Sequence, residues 1–193
     1  MSSFLNNHKV RGLRNNNPGN LVRSSNAWQG KIPYPQSKDT KFEQFTELKW
    51  GIRAMFKDLI NDINKGKNTV KKLIYEYAPP NENDTSLYID KVCKSLGIGS
   101  ESKISSVNND FLKLLGRAIM KVELGNSHTS VTDDHLDDAL AVLGNASLPN
   151  VVVVVSKTKT FLKKISPAII FLALFFLAKY YNKQKLKTKF KKH

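Results

Sequence analysis

The run Leu48-Lys-Trp-Gly-Ile-Arg-Ala-Met-Phe-Lys-Asp-Leu-Ile-Asn-Asp-Ile63 decides how the first three quarters of this chain should be read. Leu48, Ile52, Met55, Phe56, Leu59, Ile60 and Ile63 recur at three- and four-residue spacing, which places them on one face of a helix. Gly66 follows as a stop. Downstream the same pattern repeats. Thr69 is a cap for a helix carrying Val70, Leu73, Ile74 and Tyr77, ended by Ala78-Pro79-Pro80. Asp84-Thr85 restarts a helix with Tyr88, Ile89, Val92, Cys93 and Leu96, ended by Gly97. Asn108-Asn-Asp110 opens Phe111 to Leu124, closed by Gly125, and Thr132 caps a last helix that runs to Leu143.

Upstream the character changes. Lys9 to Asp39 is rich in Asn, Gly, Pro and Ser, so turns and loops are expected. Lys41-Phe-Glu-Gln-Phe45 is the best strand candidate. The expectation is a mainly α domain with a small β component over residues 1–145. The chain has one cysteine, Cys93, so no intramolecular disulfide holds it; Cys93 reads as a buried apolar residue on a helix. Met1 to His8 lacks the continuous apolar core of a signal peptide.

The end of the chain is different again. Residues 1–150 hold 20 Lys/Arg against 16 Asp/Glu, whereas Val151 to His193 holds eleven Lys and no acid. Residues 146–164 read as a linker containing the five valines Val151 to Val155, a β-favouring run with no assigned role. Residues 165–181 are apolar apart from Lys179 and would make a helix of about 25 Å, close to the ~30 Å hydrocarbon core. A single transmembrane helix is therefore expected there, with residues 182–193 as a basic tail toward anionic lipid. The tail's lysine spacing carries no nucleic-acid readout.

Four segments together resemble the phage-encoded, lysozyme-like peptidoglycan hydrolases. They are Arg11-Gly-Leu-Arg-Asn-Asn-Asn-Pro-Gly-Asn-Leu21; Phe42-Glu-Gln-Phe45 with Gly51-Ile-Arg-Ala54; Tyr77-Ala-Pro-Pro-Asn-Glu-Asn-Asp-Thr-Ser-Leu-Tyr88; and Ala118-Ile-Met-Lys-Val-Glu-Leu-Gly125. The resemblance covers Lys9 to Gly144. It implies an α+β lysozyme-like fold, cleavage of the glycan strands of bacterial peptidoglycan, and a place in the virion beside other virion proteins; residues 165–181, outside the resemblance, add the expectation of an internal virion membrane or host inner membrane. A second resemblance is to lytic transglycosylases, whose Glu-x-Gly and Thr-x-x-Tyr segments look like Glu123-Leu-Gly125 and Thr85-Ser-Leu-Tyr88 in reversed order.

Cleaving a glycoside requires a carboxylic acid that keeps its proton near neutral pH. Glu123 fits: it follows Ile119, Met120 and Val122 at a helix end, where the helix dipole gives a solvated acid no advantage. Glu82, in the Pro-Pro-Asn-Glu turn, is the rival acid, with a turn-bracing role as the plain reading. Asp39 and Glu43 stand where lysozyme-like folds carry a second carboxylate, and otherwise read as surface groups. Asn15, Asn16, Asn17 and Asn20 offer donors and acceptors to a sugar's acetamido and hydroxyl groups, or else build turns. Tyr77 and Tyr88, with Trp28 and Tyr34, offer faces to sugar rings, while Trp28 and Tyr88 read equally as core residues. Asp133-Asp-His-Leu-Asp-Asp138 is explained by Thr132 capping with acids in the first turn, so no metal and no cofactor is expected. A virion membrane protein that keeps the fold without catalysis is the competing class.

Overall fold

The apolar stripe of Leu48 to Ile63 does form the central helix. The structure is a computed structural model that describes residues 3–81 and 84–144. Six α-helices stand in it: α1 Arg11–Arg14, α2 Leu48–Asn64, α3 Val70–Tyr77, α4 Thr85–Leu96, α5 Asn109–Leu124 and α6 Asp133–Ala141, with short 3-10 helices at Tyr34–Gln36 and Gly125–Ser130. Ile52, Met55, Phe56 and Leu59 of α2 have essentially no exposed surface. Burying side chains of this size stabilises a domain by roughly 1.5–3 kcal/mol each. They are covered by α3, α5 and α6, and α4 packs on α3 and α5.

The caps explain where the helices begin. Thr69 Oγ1 accepts Lys72 N–H at 3.2 Å, Asp84 Oδ1 accepts Leu87 N–H at 3.0 Å, and Asn108 Oδ1 accepts Phe111 N–H at 2.8 Å. Each satisfies an amide that the helix itself leaves unpaired. At α6 the His135 ring takes the Thr132 N–H at 3.0 Å, and Asp133 pairs with Arg117, so the acidic run serves the helix start. Cys93 is half-buried against the core.

Two expectations about fold class are corrected. The strand over Lys41–Phe45 does not form, and no strand occurs among the described residues. The segment is extended and sits between two loops, through the isolated antiparallel bridges Val22↔Phe42 and Lys31↔Phe45. Its neighbours are too irregular to carry a ladder: Phe45 N–H bonds to Asn15, Glu43 N–H to Leu21, and Thr46 N–H to Gly30. The domain is thus mainly helical rather than α+β. Nor is any described helix long and apolar enough to cross a membrane. The longest, α2, has 17 residues and carries charged Lys57, Asp58 and Asp62. The fold is corrected accordingly. The expected transmembrane segment 165–181, the linker 146–164 and the tail 182–193 lie outside the described residues.

The Asn-rich loop is also more ordered than turn chemistry alone implies. It contains α1, and it closes against α2 where Gly51 faces the backbone of Asn16. A Cβ at Gly51 would lie 1.8 Å from the Asn16 carbonyl oxygen, so only glycine permits this approach.

Candidate functional site

Three consecutive asparagines shape the loop from inside. Asn15, Asn16 and Asn17 are all buried. Asn15 donates to Asp39 at 2.7 Å and accepts from Gln44 at 2.9 Å. Asn16 has a φ of 50°, donates to Ser3 and to the Phe45 carbonyl, and accepts Phe4 N–H. Asn17 donates to the carbonyls of Leu21 and Glu43 and accepts Leu21 N–H. Asparagine suits each place because its short amide both donates and accepts, and at Asn16 it also tolerates the left-handed region. These three side chains are therefore closed to a sugar; they build the loop, which corrects the substrate-contact expectation for Asn15, Asn16 and Asn17.

Asn20 is the partly buried asparagine of the loop, and its side chain reaches Glu123. It has a φ of 49°, and its Nδ2 donates to Glu123 Oε2 at 2.8 Å across 103 residues of chain. Glu123 is the penultimate residue of α5, behind the buried Ile119 and Met120. Its other oxygen, Oε1, accepts the Tyr88 hydroxyl at 2.8 Å. Burial raises the Glu123 carboxyl above the ordinary glutamate value; the Asn20 and Tyr88 hydrogen bonds pull it partly back. The site thus holds a half-buried carboxyl that retains its proton to higher pH than a solvated one, with its orientation fixed by two donors.

Tyr88 is only 4% exposed, so its ring belongs to the core and its hydroxyl alone reaches the site. Sugar stacking on Tyr88 is corrected on that ground. Tyr77 is half-buried at the end of α3 and donates to the Gly19 carbonyl at 2.5 Å. Its hydroxyl titrates well above the ordinary tyrosine value because of burial, then the nearby charges of Glu123 and Asp58. Tyr77 is thus placed under the influence of both carboxylates.

A cleft of about 300 Å³ continues from Asn20 and Tyr77. Trp28 and Asn26 come from the loop, Asp58 and Asp62 from α2, and Glu76 from α3. Asp58 is pushed up to about 6 by burial, with Asp62 and Glu76 adding like charge. The sequence reading did not single out Asp58. A signal existed: two aspartates four apart on one helix repel unless something else requires them.

The other acids have structural roles. Asp39 is gripped by Arg11 at 2.6 and 2.7 Å, by Asn15, and by the Lys41 and Phe42 amides. Burial works against its charge, but these donors hold the carboxyl well below the usual carboxylate range. Glu43 is wholly buried, and its Oε1 accepts from Lys31, Ser24 and Tyr34 at 2.9–3.1 Å. Both were expected as surface groups; the extended 39–45 segment turns them inward instead. Glu82 lies outside the described residues.

The chain is similar to "Protein P5" of Pseudoalteromonas phage PM2, with 32% identity over 125 residues. That match takes in 63% of this chain and 75% of the phage protein. The chain belongs to the protein P5 family. No known family profile matches it. For this P5-family chain the relationship places its kin in a bacteriophage, the setting expected from the sequence.

Proposed function

We propose that this P5-family chain cleaves the glycan strands of bacterial peptidoglycan, with Glu123 as the general acid. The reading is supported above all by one observation: the Glu123 carboxyl is half-buried, raised in pKa, and aimed by Asn20 and Tyr88 at the end of α5. A carboxyl in that state delivers a proton to a leaving glycosidic oxygen near neutral pH. Asn20, Tyr77 and Trp28 are the substrate-side groups, and the cleft beside them is the path of the strand. No second carboxylate is required for a lytic transglycosylase, in which the sugar's own hydroxyl attacks. In a hydrolase, Asp58, which lines the cleft with Asn20 and Tyr77, is the group available to activate water.

The proposed setting is the virion, with the enzyme opening the wall as the phage enters or leaves its host. Anionic lipid near the lysines of residues 182–193 is a proposed partner there, through charge alone.

Digestion of purified sacculi with the full chain tests this, with fragments read by mass spectrometry. Anhydro-muramyl ends assign a transglycosylase and reducing ends a hydrolase. Intact sacculi remove the catalytic reading and leave a glycan-binding virion protein in its place.

A further inference from the structure

Two tyrosines stand near Glu123, and their hydroxyls are used differently. Tyr88 donates to the carboxyl itself. Tyr77 lines the cleft beside Asn20, yet its hydroxyl donates to the loop, at the Gly19 carbonyl 2.5 Å away. A phenol has one proton to donate, so that hydroxyl has none left for a substrate. Burial above all, then the charges of Glu123 and Asp58, lifts the phenol well above the ordinary tyrosine value, so the donor keeps its proton through the neutral range.

The bond falls where it controls the backbone. The Gly19 carbonyl and the Asn20 N–H belong to one planar peptide unit. Tyr77 holds the oxygen of that unit, and the Asn17 carbonyl accepts its N–H at 2.9 Å. The plane is thus pinned at both ends. From that plane, with φ at 49°, the Asn20 side chain reaches Glu123 Oε2 at 2.8 Å. The side chain has little else to orient it. Its Oδ1 is buried and makes no hydrogen bond among the described residues. The direction of the amide therefore depends on the backbone that carries it. The fit around the bond is close: a Cβ at Gly19 would lie 2.4 Å from the Tyr77 hydroxyl oxygen and 2.8 Å from Met55 Sδ. Gly19 is not in the left-handed region, so its missing side chain serves this approach.

We propose that Tyr77 is a positioning residue for the acid: by holding the Gly19 carbonyl, it fixes the peptide plane from which Asn20 reaches Glu123. This rests on the reading of Glu123 as the acid that cuts the strand. Tyr77 acts through Asn20, and its hydroxyl does not touch the reacting atoms.

The test reads the Glu123 carboxyl directly. The full chain is isotope-labelled at its glutamate carboxyls and followed by NMR, and the Glu123 signal is the one missing from Glu123→Gln. Its position is traced against pH in the parent, Tyr77→Phe, Asn20→Ala and the double variant. Loss of the Asn20 donor raises the midpoint, because that hydrogen bond favours the charged carboxylate. The expected result is an upward shift in Tyr77→Phe as well, with no further shift when the two are combined. Gly19→Ala, which drives the same hydroxyl aside, should move the midpoint in the same direction, and it decides the matter if Tyr77→Phe does not fold. A hydroxyl that only stabilises the fold lowers the melting temperature and leaves the midpoint where it was. An unmoved or lowered midpoint, or shifts that add in the double variant, overturns the proposal. The titration needs no turnover, so a parent that leaves sacculi intact removes the glycan reading while the midpoints still decide the role of Tyr77.

Discussion

Tyr88 and Glu123, 35 residues apart, are joined by a 2.8 Å hydrogen bond from a buried phenol to a half-buried carboxylate oxygen. The bond ties α4 to the end of α5, and Asn20 secures the second oxygen from the N-terminal loop. Three separate pieces of chain thus set the orientation and acidity of one carboxyl.

Replacing that carboxyl should separate activity from folding. Glu123→Gln keeps the shape and an acceptor for one donor but cannot deliver a proton. Cleavage of sacculi should fall by about 10²–10⁴-fold. Stability should not fall with it near neutral pH. A carboxyl raised by burial stabilises the fold fully below its unfolded value and loses that contribution as pH rises through the folded one. Melting curves at pH 7 should show the variant equal to the parent or above it.

Tyr88→Phe and Asn20→Ala each remove a donor that favours the charged form of Glu123. The carboxyl should then titrate still higher. The alkaline limb of the pH–activity profile should move upward in both variants, while peak activity drops from lost orientation. An unmoved limb would mean that Glu123 is not the group titrating in the profile.

Asp58 yields a pH-dependent stability. Its carboxyl is raised from 3.8 to about 6 by burial beside Asp62 and Glu76. The proton is held more tightly in the folded state, so stability is lost as pH climbs from about 4 through about 6. Asp58→Asn should match the parent at pH 4 and exceed it at pH 7. The gap should be about 1–2 kcal/mol, after discounting the shift for partial exposure. Denaturant midpoints at the two pH values measure it.

The asparagine loop should prove costly to disturb. Asn17→Ala leaves the Leu21 and Glu43 carbonyls and the Leu21 amide without their partner, at about 2–4 kcal/mol. Gly51→Ala forces a methyl against the Asn16 carbonyl and should cost about 3 kcal/mol. Urea unfolding reads both. Activity of either variant, where folded, should fall through displacement of Asn20.

The sequence by itself determined the helices. The apolar spacing in Leu48–Ile63, the capping residues Thr69, Asp84 and Asn108, and the stop at Gly97, whose φ is 69°, act within a few residues of chain. Local interactions of that kind leave a mark in local sequence. Glu123 was legible too, because an acid behind an apolar helix end is an unfavourable placement that asks for a reason. Only the tertiary structure decided the remainder. Asn15, Asn16, Asn17 and Asn20 look alike in sequence, yet three face inward and one meets Glu123; contacts dozens of residues away, to Asp39, Glu43 and Phe45, make that choice. Lys41–Phe45 has the composition of a strand, but pairing depends on what lies beside it, and its neighbours are loops. Asp58 joined the cleft beside Asn20 and Tyr77 because elements distant in sequence pack together, and side-chain spacing along a single element does not encode that packing.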